Sequence, residues 1–378
     1  MKTQIYADHA ATTPLSPAAL DAMTPWMREY CWNPSAPYML ARQPRKAIAQ
    51  AREVVASAIG ALPEEIYFTS GGTESDNWAL AGTVFCHAPS QTRLVTSCIE
   101  HHAILRTCEF LERLGCEVVY LPVDRTGRAS PDALTKAIDS KTKLVSIMTA
   151  NNEIGTIEPI RQLAAAAHAQ GTLFHTDAVQ AVGHIPLDVR ALGVDLLSAS
   201  AHKFNGPKGV GFLFIREGIR PEPLLHGGGQ ESGRRAGTEN VPGIVGMASA
   251  LKEHVAHMES EQKYLAFLQE ILLDSLHDTG LDFHINGAEY RIPGNLSVSF
   301  RHADGEMLLH RLDLMGTTVA TGAACDSERV RLSHVIQAIG VPKEYANGTI
   351  RISLGMDNTE KQMRTISHQI ASILRGNI

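Results

Sequence analysis

The stretch LLSASAHKFNGPKGVGFLFIR, Leu196 to Arg216, sets a His-Lys pair and three glycines between two short apolar runs. Runs of that length and character read as strands buried on both faces. A lysine so close to core strands either snorkels to water or is held for chemistry, because an unpaired buried ammonium is costly. What the rest of the chain brings to it decides between the two.

Outward from that stretch the pattern repeats. Between Pro14 and Ala250 the runs EIYFTS, TRLVTS, CEVVYLPV, TKLVSIMTA and GTLFHTD alternate with longer Ala-rich helical stretches. Two of these, SPDALTKAID opening at Ser130 and PIRQLAAAAHAQG ending at Gly171, carry ordinary start and stop signals. The alternation predicts βαβ units and an α/β fold whose mostly parallel sheet is covered on both faces. Near Leu251 the character changes, and a long helix through ESEQKYLAFLQEILLDSLHDTG leads to NLSVSF, a further helix and GTIRISLG. The expected organisation is a large domain over residues 14–258 and a smaller α+β domain made of 259–378 together with 1–13. No internal repeat, low-complexity tract or long linker interrupts it.

A chain of 378 residues with 44% hydrophobic composition can bury a large core. Its formal net charge of -6, without a run of Lys or Arg, gives no electrostatic footprint for nucleic acid or an acidic membrane surface. The opening MKTQIYADHAATTP reaches Asp8 before an apolar signal region forms, and no later run is long enough to span a membrane. A cytoplasmic protein is expected. Cys31, Cys86, Cys98, Cys108, Cys116 and Cys325 include no C-x-x-C pair, which argues against a disulfide framework and a zinc site. Five read as plain thiols, with Cys325 set apart below.

Four places carry chemistry. In YFTSGGTESDNWALAG a strand meets Gly71-Gly72-Thr73 and then a helix, a junction that either binds a phosphate on free amides or makes a tight turn. Neither the Rossmann nor the P-loop glycine pattern is satisfied there. In FHTDAVQAVG, Asp177 and Gln180 follow a strand at the edge where open α/β sheets place ligands. Asp177 there either holds a protonated ring nitrogen or caps a helix. The adjacent His101 and His102 of IEHHAIL lack the helical spacing that would complete a metal site, and a flat imidazole against a ring fits as well. The fourth is Lys203. A desolvated lysine, a phosphate-type loop and an acid suited to a cationic ring are together what pyridoxal 5'-phosphate requires.

The motifs YADHAATTP, FTSGGTES, ANNEIGTIEPI, HTDAVQAVG, SASAHKFNGPKGVG, HGGGQESGRRAGTENVPGIVG and GTIRISLG, in this order over nearly the whole chain, resemble those of the cysteine desulfurases in the class V aminotransferase group, which have the fold-type I architecture. The resemblance implies that Lys203 is the Schiff-base lysine and that Ser200 and His202, with Gly72 and Thr73, hold the cofactor phosphate. It places Asp177 on the pyridine nitrogen, Gln180 on the phenolic oxygen, Asn152 against the cofactor and His101 on its ring as a catalytic residue. It implies a homodimer in which Thr238 of AGTEN reaches the partner's phosphate. Arg351 would grip the carboxylate of L-cysteine, a bidentate task suited to guanidinium. Asn33 of WNPSA is similar to a substrate-side asparagine, although the family's GNPSS is altered on both sides. Cys325 stands at the family's persulfide cysteine, and His334 falls at a position expected to be structural. Where relatives carry a loop resembling CSSGSLEPSHV, this chain has CDSERVRLSHV, with Asp326, Glu328, Arg329 and Arg331 in place of glycine and proline.

The implied activity is removal of sulfur from L-cysteine, giving L-alanine and a persulfide for a sulfur-acceptor protein in iron–sulfur cluster assembly, tRNA thiolation or DNA sulfur modification. Two other readings compete. One is a different class V activity, an aminotransferase or selenocysteine lyase, for which Cys325 is dispensable. The other is a degenerate homologue acting as a binding partner, against which the intact cofactor constellation argues.

Overall fold

A computed structural model describes residues 4–322 and 332–376, so Cys325 lies outside the described residues. Twelve strands are formed among them. β1 is Ile5–Tyr6, β2 Ile66–Thr69, β3 Arg93–Ser97, β4 Glu117–Leu121, β5 Thr142–Ser146 and β6 Leu173–Asp177. β7 is Leu196–Ser200, β8 Gly211–Ile215, β9 Phe283–Asn286, β10 Asn295–Phe300, β11 Thr317–Thr318 and β12 Thr349–Ser353.

Seven strands form the main sheet in the order β2-β8-β7-β6-β5-β3-β4. The pairs β3/β4, β3/β5, β5/β6 and β6/β7 are parallel, whereas β8 runs antiparallel to both β7 and β2. The expected mostly parallel sheet is therefore present, with its one reversed strand in the stretch Leu196 to Arg216. The reversal follows from length, since the few residues between Ser200 and Gly211 cannot make the helical crossover a parallel return needs. Both runs are fully buried, as their unbroken apolar character requires. Gly211 is forced by packing. A Cβ there would collide with the Ala199 carbonyl oxygen and come within 2.7 Å of the Gly71 Cα.

A second, three-stranded antiparallel sheet has the order β12-β10-β9, and β1 pairs in parallel with β11 beside it. The apolar residues divide accordingly. One cluster spans the main sheet and its helices, from Ala19 to Leu251, and another gathers Ile5, Ala7, Leu265, Leu272, Val298, Ile352 and Ile366. The helix Val241–Asp278 belongs to both: its residues from Val241 to Leu251 pack on the first cluster and those from Leu265 to Leu276 on the second. The change of sequence character near Leu251 is thus a change of packing partner inside one continuous helix, and not the start of a new one. The first residues of the chain do the reverse crossing. Ala7 sits in the second cluster, while Thr13 hydrogen-bonds to the His202 carbonyl beside β7. No helix among the described residues is long and apolar enough to cross a membrane.

Candidate active site

The strand ends, the N-terminal segment and β12 enclose a cavity of about 580 Å³ lined by Lys203, Asp177, His101, Gly72, Ser200 and Arg351, among others. It opens at the carboxyl ends of the parallel strands, where the amides of following helices point outward.

Lys203 sits in the turn Ala201–Lys203 directly after β7. Its Nζ donates to the carbonyl oxygens of Ala10 (2.7 Å) and Ala11 (2.8 Å). Gln180 Nε2 donates to the same Ala10 oxygen at 2.9 Å. From behind, the half-buried His184 donates from Nε2 to the Lys203 carbonyl at 2.8 Å, so the backbone of the lysine is fixed while its amine faces the cavity. The opening question is thereby answered, for the lysine is held and does not reach for bulk water.

The floor is acidic. Asp177 ends β6 with 5% of its surface exposed, and the Val179 amide donates to its Oδ1 at 2.9 Å. Burial pushes its carboxyl up to about 6, against the opposing pull of that amide and of the Lys203 charge. Asp177 therefore caps locally and also faces the cavity. Below it, Asp76 and Glu100 are both pushed well above the usual carboxylate range, first by burial, and in each case the charge of Asp177 adds to the rise. Glu100 accepts from Ser97 Oγ at 2.5 Å and from the Met148 amide. Neither oxygen of the fully buried Asp76 makes a hydrogen bond, and His175 Nε2 lies 3.8 Å from Oδ1. Asp76, His101 and Asp177 each bring one atom to within 4.8 Å of the others, a floor that attracts a cation.

His101 is the N-cap of the helix His102–Arg113, its Nδ1 accepting from the Ala103 amide at 3.1 Å. That bond assigns the proton to Nε2. Burial, followed by the charges of Lys203 and His102, lowers the imidazole to about 4, so its ring is neutral at ordinary pH. His202 also lines the cavity and is lowered to about 4, by burial first and then by Lys203 and Lys208.

On the opposite wall the helix Gly72–Phe85 begins, with Ser200 alongside. A Cβ on Gly72 would lie 2.6 Å from Val179 Cγ2, so glycine is what lets Val179 pack against the start of this helix, whose first residues line the cavity. Glu74 in the same turn does not oppose an anion there: Arg235 grips it at 2.8 and 3.1 Å and the Ser70 amide donates to it at 2.8 Å. Arg351, on β12, is only 8% exposed. It donates from Nη2 to Asp8 Oδ1 at 2.6 Å and from Nη1 to the Asn152 carbonyl at 3.1 Å.

Most of the residues singled out from sequence line this one cavity: Gly72, Thr73, His101, Asn152, Asp177, Gln180, Ser200, His202, Lys203 and Arg351. Thr238 does not line it; with Arg235 and Gly237 it borders a separate depression of about 170 Å³. Asn33 is also away from it, with its Oδ1 accepting from the Ser35 amide at 2.9 Å. His334, expected to be structural, lines the cavity with its Nε2 3.0 Å from the Glu100 carbonyl oxygen. Sequence reasoning missed Asp8, Asp76, Glu100 and Glu153. All four stand inside quoted stretches, YADHAATTP, YFTSGGTESDNWALAG, IEHHAIL and ANNEIGTIEPI, and an acid directly after a strand or one turn into a cavity-facing helix was the available signal.

Comparison with known proteins agrees with this arrangement. Residues 5–366 match the model of the class-V aminotransferase family. The chain is 50% identical over 364 residues to a protein of Dictyoglomus turgidum called cysteine desulfurase IscS, covering 96% of this chain and 92% of that one. It is similar in structure to a NifS-like protein, with a TM-score of 0.93 and 40% identity over 99% of this chain and all of the other. It also resembles a structure described as SspA in complex with cysteine, with a TM-score of 0.84 and 36% identity over 93% and 99% of the two chains. The convergence of a held lysine, a buried acid and a free helix N-terminus on one cavity is thus carried by a chain that belongs to the class-V aminotransferase family, in its cysteine desulfurase branch.

Proposed function

We propose that this chain is a pyridoxal 5'-phosphate-dependent cysteine desulfurase that passes the sulfur of L-cysteine to Cys325. The observation that carries the reading is that the Lys203 amine, the raised Asp177 carboxylate and the N-terminus of the helix Gly72–Phe85 share one cavity.

The residues around the cavity fit this cofactor. Its acidic floor suits a cationic ring nitrogen, and the helix N-terminus at Gly72 and Thr73 beside Ser200 suits a phosphate. Gly72, Thr73, Ser200 and His202 would hold the phosphate, Asp177 the ring nitrogen, Gln180 the phenolic oxygen, and Asn152 with the neutral His101 the ring. Bound there and joined to Lys203, the cofactor supplies an electron sink that acidifies the Cα proton of an amino acid.

The chain's own groups do the rest. Arg351, held by Asp8 and Asn152, keeps guanidinium donors for the carboxylate of L-cysteine. The Lys203 amine takes the Cα proton and returns one to carbon. The thiolate of Cys325 attacks the substrate sulfur; an S–S bond forms, the C–S bond breaks, and Cβ keeps the bonding pair and takes a proton, so that L-alanine and a persulfide result. No outside oxidant or reductant enters this balance.

Residues 14–258 would be the large domain, and 1–13 with 259–378 the small one, a division supported by the two apolar clusters. A homodimer is supported by the place of Thr238 outside its own chain's cavity and by the exposure of Met27, Tyr38, Met39 and Leu40 at 66, 46, 75 and 49%. Thr238 would then serve the partner's phosphate, and Asn33 a substrate. A cytoplasmic site of action and an acceptor protein for the sulfur complete the proposal. The test is to incubate the wild type and Cys325→Ser with L-cysteine and weigh the peptide containing residue 325. One added sulfur in the wild type alone, with alanine release lost in the variant, is expected. Equal release by both would favour the aminotransferase or selenocysteine lyase reading.

A further inference from the structure

Glu153 is almost fully buried in the cavity wall, yet none of the tasks assigned above uses it. Its backbone is fixed independently of its side chain, because Asn151 Oδ1 accepts from the amides of Glu153 (2.9 Å) and Ile154 (3.1 Å). The carboxyl then points to where two distant parts of the chain meet. Ser333 donates from Oγ to Glu153 Oε2 at 2.6 Å, and the same Oγ accepts from the amides of Val335 and Ile336, starting the short helix His334–Ala338. Gly322 comes so close on the other side that a Cβ on it would collide with Glu153 Oε2 and lie 2.7 Å from the Ser333 Cβ. Val335 and Ile336 in turn pack with Ile99 and Ile154, so Ser333 rests on a firm base.

Gly322 and Ser333 flank Cys325 in the chain, three residues before it and eight after it. We propose that Glu153 is a positioning residue for sulfur acceptance: its carboxyl anchors Ser333 by a hydrogen bond while Gly322 packs against the same oxygen, so the two points between which the chain carries Cys325 meet at the cavity wall. The role rests on the reading of Cys325 given above. Burial raises the Glu153 carboxyl to about 7, while Ser333 and the Arg351 charge pull it down, which keeps a share of the stronger, ionised acceptor at neutral pH. A residue acting in this way affects the arrival of sulfur at residue 325 and leaves the chemistry at Cα alone.

The holoenzyme and its Glu153→Ala and Glu153→Gln variants test this, read by two measurements on each. The first is exchange of the substrate Cα proton in deuterated water, which needs an intact cofactor, Lys203 and Arg351. The second is the rate at which the peptide containing residue 325 gains sulfur from L-cysteine. For Glu153→Ala, exchange stays within about twofold and sulfur arrival falls about tenfold, the factor that one hydrogen bond to a charged acceptor is worth. Glu153→Gln keeps an oxygen for Ser333 and recovers most of that loss. Parallel loss of both rates, unchanged sulfur arrival in Glu153→Ala, or a Gln variant as slow as the Ala variant overturns the proposal. A wild type that exchanges the Cα proton but never gains sulfur at residue 325 overturns the Cys325 reading itself, and the role of Glu153 with it.

Discussion

Replacing Asp177 by Asn should move stability and function in opposite directions. Without a cationic partner the carboxylate is a burden on the fold, since burial raises it from 3.8 to about 6. A raised acid disfavours the native state wherever the unfolded chain is ionised and the folded one resists ionisation. The cost therefore begins near the unfolded value, grows as pH rises, and levels off above the folded value. A shift of about two units corresponds to about 2 kcal/mol of lost stability at pH 5 and about 3 kcal/mol at pH 8. Asn keeps the oxygen that accepts the Val179 amide and sheds the charge. Urea denaturation of the cofactor-free protein should then show Asp177→Asn to be the more stable form at pH 8, with a smaller margin at pH 5. The loaded variant should exchange the Cα proton of L-cysteine much more slowly, because the neutral amide no longer holds a ring proton. A variant no more stable than wild type at pH 8, or a margin that shrinks between pH 5 and pH 8, would refute the claim that the site keeps an unfavourable charge for its cofactor.

Lys203→Ala should fold and assemble as the wild type does, lose alanine release, and retain no cofactor after borohydride reduction, where the wild type shows the added mass on the peptide containing residue 203. For Arg351→Lys the KM for L-cysteine should rise at least about tenfold, since a lost bidentate contact costs roughly 1.5–3 kcal/mol. Asp8 and the Asn152 carbonyl, which orient the guanidinium, cannot give an ammonium the same fork, and saturation at wild-type concentrations would show that another group holds the carboxylate.

The main sheet was legible in sequence because its inner strands are buried on both faces and stand out as apolar runs, and EIYFTS, TRLVTS and GTLFHTD each became a strand. The reversal of β8 could be foreseen only by measuring the gap after Ser200 against the length of a crossover. The change of character near Leu251 has a different origin. A helix shows its amphipathic face in sequence but not what that face touches, and Val241–Asp278 turns from one apolar cluster to the other without a break in its backbone.

In the site, the legible residues were those whose chemistry is unusual for their place: a lysine after a core strand, glycines at a helix start, an acid at a strand end. Asp76, Glu100 and Glu153 escaped because a carboxylate in a polar stretch looks like an ordinary solvated residue until burial is known. Burial changes what each does. Asp76 and Glu100 are both pushed well above the usual carboxylate range by burial and by the Asp177 charge, so their ionisation beside Asp177 is disfavoured. Three ionised acids under one ring nitrogen would repel each other and overcompensate a single positive charge. Burial opposes the ionisation of Asp76 and Glu100, which moves the floor toward the single negative charge that one ring cation would match. The motif supplied the residues, but the enclosing strands and helices set which of them carries charge.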